Sequence, residues 1–152
     1  MVAPVGSNEV RTSVAMNLQF TRGRHGAAAR LEVHDRPAGR VGLLAVRGWV
    51  DLPAARGIER ALDDLAARGV ARLVVDCSRL LHVDYRLVPR LVESLMRFEA
   101  RAGAVVLCGL SRYLRDLFRI AGCESRLCCW PTAADLLDAA PGAAGLEREH
   151  AS

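Results

Sequence analysis

"LLHVDYRLVPRLVE", Leu80 to Glu93, changes its period halfway along. Leu80, Leu81 and Val83 close an apolar stretch that starts at "ARLVVDC", residues 71 to 77, which is apolar on both faces as a central buried strand is. Past the break the apolar positions recur at three and four residues, through Val88, Leu91, Val92, Leu95 and Phe98, which is the spacing of a helix with one buried face. Asp84, Tyr85 and Arg86 stand at the junction. A carboxylate just before a helix satisfies free backbone N–H groups and favours the helix dipole, so Asp84 reads as a cap. Pro89 is tolerated only where its missing N–H would be unpaired, which predicts a helix that starts near Tyr85 or Arg86 and ends at Arg101.

The same strand-to-helix grammar extends in both directions. Upstream, "RLEVHD" (30–35), the turn signal "RPAGR" and "VGLLAVRGWVD" (41–51) have the layout of two antiparallel strands. Leu52, Ala55, Ile58, Leu62 and Leu65 then take up helical spacing until Gly69 stops it. Asp51 at that start has the bland role of a cap. Downstream, "AVVLCG" and "RLCCW" read as buried strands, with helices near 111 to 121 and after Pro131. The expected fold class is therefore α/β: a mixed sheet of about five strands (31–35, 42–47, 72–77, 104–108 and 126–129), the first two antiparallel and the central ones parallel, with about four helices. Residues 1–28 show no sustained period and are expected to be a flexible N-terminal extension that can be trimmed with little loss of stability. Residues 29–141 are the expected domain and 142–152 a C-terminal tail.

Composition narrows the function. The chain has 152 residues, enough for one ordinary core, and its net charge of +4 comes from arginine alone, because it contains no lysine. The arginines are interleaved with Asp and Glu along the chain, without the basic and aromatic clustering of a nucleic-acid surface. The apolar runs are too short to span a membrane and no signal-peptide block is present, so a cytoplasmic protein without membrane insertion is expected. Five cysteines (Cys77, Cys108, Cys123, Cys128 and Cys129) lack metal-ligand spacing and read as buried thiols in a reducing compartment. Phosphate-cradling glycine loops and a nucleophile elbow are missing. His82 and Asp84 lie two apart, but no nucleophile accompanies them, and Cys128 and Cys129 point to opposite faces of a strand. The expectation is no enzyme, no cofactor and no metal.

Several of these segments, in order, resemble a STAS domain, the fold of anti-sigma factor antagonists. They are Gly48-Trp49-Val50-Asp51, matching the family's Gly-x-x-Asp at the end of its second strand; Val83-Asp84-Tyr85-Arg86-Leu87, matching the segment after its central strand; and Pro131-Thr132-Ala133-Ala134-Asp135-Leu136, matching its closing pattern. The resemblance covers residues 30 to 140. It implies a regulatory domain that docks a protein partner through this loop and the helix behind it. In the partner-switching members a serine or threonine at the start of that helix is phosphorylated by a kinase that is also the anti-sigma factor. Arg86 stands at that phosphoacceptor position and Tyr85 takes the place of the serine before it, so the usual switch is expected to be missing.

Arg86, Arg90, Glu93, Arg97 and Arg101 share one face of the helix that family members present to partners, and Arg112, Arg115 and Arg119 form a similar stripe on the next. Arginine suits bidentate contacts with carboxylates, which points to an acidic partner surface. The expected partner-binding set is Asp51, Asp84, Tyr85, Arg86, Arg90 and Arg97, and the expected partner an anti-sigma factor, serine kinase or signalling assembly. Two other roles stay open: an accessory STAS subunit of an ABC-type lipid transport system, and a nucleotide- or ligand-sensing domain.

Overall fold

The computed structural model describes residues 14–123 and 128–130. Its six strands are β1 (Val14–Gln19), β2 (Ala28–Arg36), β3 (Gly39–Val50), β4 (Val70–Val83), β5 (Ala104–Cys108) and β6 (Cys128–Trp130). They lie in one sheet in chain order. β1 to β3 are antiparallel neighbours, and β3 to β6 are parallel. The parallel half needs crossovers, which α1 (Leu52–Ala67), α2 (Val88–Arg101) and α3 (Arg112–Ile120) supply. A mixed sheet with parallel centre is thus what the strand and helix periods imply. The fourth expected helix, the Pro131–Leu136 pattern and the tail at 142–152 lie outside the described residues.

The tight reversal between β2 and β3 ends at Gly39, whose φ of +133° suits a residue without Cβ. In β3, Gly42, Leu44 and Val46 are buried while Leu43 and Ala45 are half-buried, the alternation of a sheet covered fully on one face. β4 is deeper: Leu73 and Val74 are both fully buried, although they point to opposite faces. On the covered face α1 buries Ala54, Ala55, Ile58, Ala61, Leu62 and Leu65, and α2 buries Val88, Leu91, Val92, Leu95 and Phe98. Each fully buried valine or leucine contributes about 1.5–3 kcal/mol, so this shared core dominates the stability. Cys77, Cys108 and Cys123 are buried thiols that form no disulfide among the described residues.

Two expectations need correction. The flexible extension to residue 28 does not hold for Val14–Gln19, which pairs with Ala28–Val33 over six positions and adds a sixth, edge strand. Val14, Met16, Leu18 and Phe20 alternate with other residues, a strand period diluted by small and polar neighbours. Phe20 then lies directly over Gly57 of α1, where a Cβ would collide with its ring. The second correction concerns the start of the helix after Asp84. Tyr85–Leu87 form a 3-10 turn that runs into the α-helix at Val88, whose first turn holds Pro89.

Candidate functional site

The parallel strands β3 and β4 end side by side, with Val50 opposite Val83, and each passes directly into a capped turn. At β3 the Asp51 side chain accepts from the Ala54 N–H at 3.1 Å and so caps α1. At β4 the Asp84 N–H donates to the Val50 carbonyl at 3.0 Å, which ties the two strand ends together. Gly48 explains the first motif residue. Its φ is +89°, and the Gly26 carbonyl approaches so closely that a Cβ would overlap it. The Trp49 N–H then donates to the His25 carbonyl at 3.1 Å, fixing the β1–β2 loop against the end of β3.

Asp84 is fully engaged by its neighbour. Its Oδ1 accepts from the Arg86 N–H at 3.0 Å, and its Oδ2 from Arg86 Nη2 at 3.1 Å. Hydrogen bonds from the Arg86 side chain, and then from its backbone, hold the Asp84 carboxyl below the usual carboxylate range. The same contact raises the pKa of Arg86. Arg86 is therefore folded back onto its own cap while its side chain stays 85% exposed. It offers one fixed positive charge and no hydroxyl.

A band of rings crosses this end of the sheet. His25 stacks on Trp49 with centroids 4.4 Å apart, Trp49 meets His82 at 5.1 Å, and His82 lies 5.7 Å from Tyr113 at the start of α3. The Tyr113 hydroxyl bonds His82 Nδ1, so His82 is engaged by a phenol and not by Asp84. Beside the band is an open cavity of about 610 Å³ lined by Arg22, His25, Trp49, Asp51, His82, Asp84 and Tyr85 among others. Trp49, Tyr85 and Tyr113 remain 44%, 48% and 51% exposed. Large aromatic rings left half-exposed together are unusual on a surface with no further role.

Of the expected partner-binding residues, Asp51, Asp84, Tyr85 and Arg86 come together here. Arg90 and Arg97 do not join them. Arg90 grips Glu59 of α1 through both guanidinium edges, at 2.7 and 3.0 Å, and Arg97 donates to the buried Ser94 hydroxyl at 3.1 Å. Arg101 reaches Asp63 of α1 at 3.3 Å. Two arginines of the stripe read as a partner surface, Arg90 and Arg101, pair with α1 of the same chain, while all of its residues keep an exposed side. Sequence reasoning missed Trp49, His25 and Tyr113. Trp49 lay in view inside Gly48-Trp49-Val50-Asp51, and alternation with the buried Val50 would have turned it away from the core. His25 and Tyr113 reach the site only through tertiary contacts. Among the described residues no cluster of His, Cys, Asp and Glu suits a metal ion, and no helix is long and apolar enough to cross a membrane.

No curated protein matches the chain. Among solved structures, the anti-sigma factor antagonist SpoIIAA in its unphosphorylated form is similar at 22% identity, covering 71% of this chain and 93% of that one with a TM-score of 0.57. An anti-sigma factor antagonist from Mycobacterium paratuberculosis is 20% identical over 70% of this chain and 89% of its own, also with a TM-score of 0.57. The murine anion transporter Slc26a9 matches 88% of this chain with only 23% of its own length, at 12% identity and a TM-score of 0.58. At such identities these neighbours show a shared fold. The family model described as "Mlab, STAS domain" matches residues 33–128, from within β2 to the first residue of β6, and the chain belongs to the STAS domain family.

Proposed function

We propose that this is a non-enzymatic regulatory STAS domain that docks a protein partner at the end of the sheet formed by residues 49–51 and 82–87 with Tyr113. The single observation that carries this reading is the convergence of three half-exposed aromatic residues, Trp49, Tyr85 and Tyr113, on one rigid, doubly capped edge. Tyrosine, tryptophan and arginine dominate the energetics of protein interfaces, the aromatic rings because they bury large area with little loss of side-chain freedom. The caps at Asp51 and Asp84 hold the backbone in place before binding, which lowers the entropic cost of association. An acidic partner surface would meet Arg86 together with Arg112 and Arg115, which are exposed on either side of Tyr113. Arg90 is held by Glu59 of α1 instead, and Arg97 by Ser94 of its own helix.

The anti-sigma factor antagonists among the structural neighbours support a partner of the anti-sigma factor or kinase type. Arg86 favours a second reading beside it. A site with no acceptor hydroxyl at the switch position suits a permanently docked subunit, such as the accessory STAS subunit of an ABC-type lipid transport system. In either case the same surface is used. Affinity capture with the intact chain tests it: Trp49→Ala and Tyr85→Ala should lose the partner that the wild type retains, with unchanged thermal midpoints. Equal capture by both variants would place docking elsewhere.

A further inference from the structure

On the sheet face that carries Trp49 and His82, the next rung inward holds two arginines side by side. Arg47 of β3 is the register partner of Arg79 of β4. Like charges directly opposite each other on neighbouring strands destabilise a sheet, and strands about 4.8 Å apart leave the two side chains adjacent. Neither arginine has an ion pair or side-chain hydrogen bond among the described residues, unlike Arg30, which pairs with Glu32 at 2.8 Å. Together with Arg30, Asn17, Ser78 and Asp76 they line a concavity of about 440 Å³.

The local backbone is built to produce this pairing. Ala45 pairs with Asp76 and Arg47 with Arg79, so two steps along β3 span three along β4. Without that extra residue Ser78 would oppose Arg47, and Arg79 would turn toward the helix-covered core. The bulge is closed by Asp76, whose Oδ1 accepts from the Ser78 N–H at 3.0 Å. It is also backed by Gly109, with φ +74°, where a Cβ would lie 2.9 Å from both Ser78 N and Ser78 Cβ. A bulge that re-aims one arginine beside another, at a loss of stability, points to a ligand that relieves the repulsion.

We propose that Arg47 and Arg79 form a binding site for a dianionic phosphate group, with the Ser78 hydroxyl and the Asn17 amide as further donors. A carboxylate carries a single negative charge and would leave one of the two guanidinium charges uncompensated. A phosphate monoester has oxygens for both guanidinium groups and charge enough for both. The phosphate comes either from a soluble phosphorylated metabolite or from a phosphomonoester lipid headgroup, and the site lies next to the docking edge without overlapping Asp51, Tyr85 or Arg86.

The test is a titration of the isotope-labelled full chain with inorganic phosphate at constant ionic strength, followed by backbone amide shifts, in the wild type and in Arg79→Gln, Arg47→Gln and Arg112→Gln. Saturable shifts centred on Arg47, Ser78 and Arg79 are expected, weakened about tenfold or more in the first two variants and unchanged in Arg112→Gln. Shifts spread equally over the arginines of α3, or surviving unchanged in Arg79→Gln, would overturn the site. Co-sedimentation with phosphatidylcholine vesicles, with and without phosphatidic acid, separates the sources. Capture that requires phosphatidic acid and Arg79 assigns the lipid headgroup, whereas phosphate-dependent shifts without vesicle capture assign a soluble phosphomonoester. Absence of both refutes the proposal.

Discussion

Arg90 on α2 holds Glu59 on α1 in a two-pronged ion pair, Nε to Oε2 at 2.7 Å and Nη2 to Oε1 at 3.0 Å, across 31 residues of chain. The contact bridges the two helices. It also brings Ser94, one turn along from Arg90, within 3.1 Å of the same carboxylate. The seam consequently consumes charges that an isolated helix would have presented to solvent.

Hydrogen bonds from Arg90 hold the Glu59 pKa below its ordinary value, against the opposing effect of partial burial, and Ser94 assists. A carboxylate whose folded pKa is depressed contributes stability above its unfolded pKa and loses it as pH falls through the folded one. Glu59→Gln should therefore lower the thermal midpoint at neutral pH and converge with the wild type as pH drops below about 4.5. Because both groups face solvent in part, the neutral-pH difference should be modest, about 1 kcal/mol or less. Parallel melting curves at every pH would show that the pair is not coupled to folding.

Removal of the first 20 residues should destabilise the domain, since it strips the edge strand and the Phe20 ring that covers Gly57. Phe20→Ala alone should cost about 2–3 kcal/mol, less than a fully buried phenylalanine because Phe20 is only partly buried. Chemical denaturation of the two chains checks this, and an unchanged midpoint would restore the view of an independent extension.

Asp51→Ala should remove one N-cap bond and cost about 1 kcal/mol, recovered largely by Asp51→Asn or Asp51→Ser. If Asp51 also meets the partner, the asparagine variant should fold like the wild type and bind less well. Equal binding would confine Asp51 to capping.

Arg86→Ala should leave the melting curve nearly unchanged, because the side chain is exposed and its pair with Asp84 lies at the surface. Trp49→Ala should weaken partner capture about tenfold or more, and Arg86→Ala less. Incubation of the wild type with ATP and a cognate serine kinase should leave Tyr85 and Arg86 unmodified. A phosphopeptide covering Tyr85 would show that switching persists on the phenol.

By itself the sequence determined the order of strands and helices, because apolar spacing and caps such as Asp51 and Asp84 are local and survive in one dimension. It also located the end of the sheet where the proposed docking surface lies, since both capped turns follow buried strands. Edge strand β1 was harder to read: four of its six residues are exposed, and its alternation is diluted by Ala15, Asn17 and Gln19. Only the tertiary structure decided which charges are free. Arg86, Arg90 and Arg97 look equivalent along one helix, yet Arg90 meets a glutamate 31 residues away while Arg47 and Arg79 meet each other. Electrostatic partnership depends on distance in space, and the register shift in β4 that creates the Arg47–Arg79 pair has no signature at the level of residue spacing.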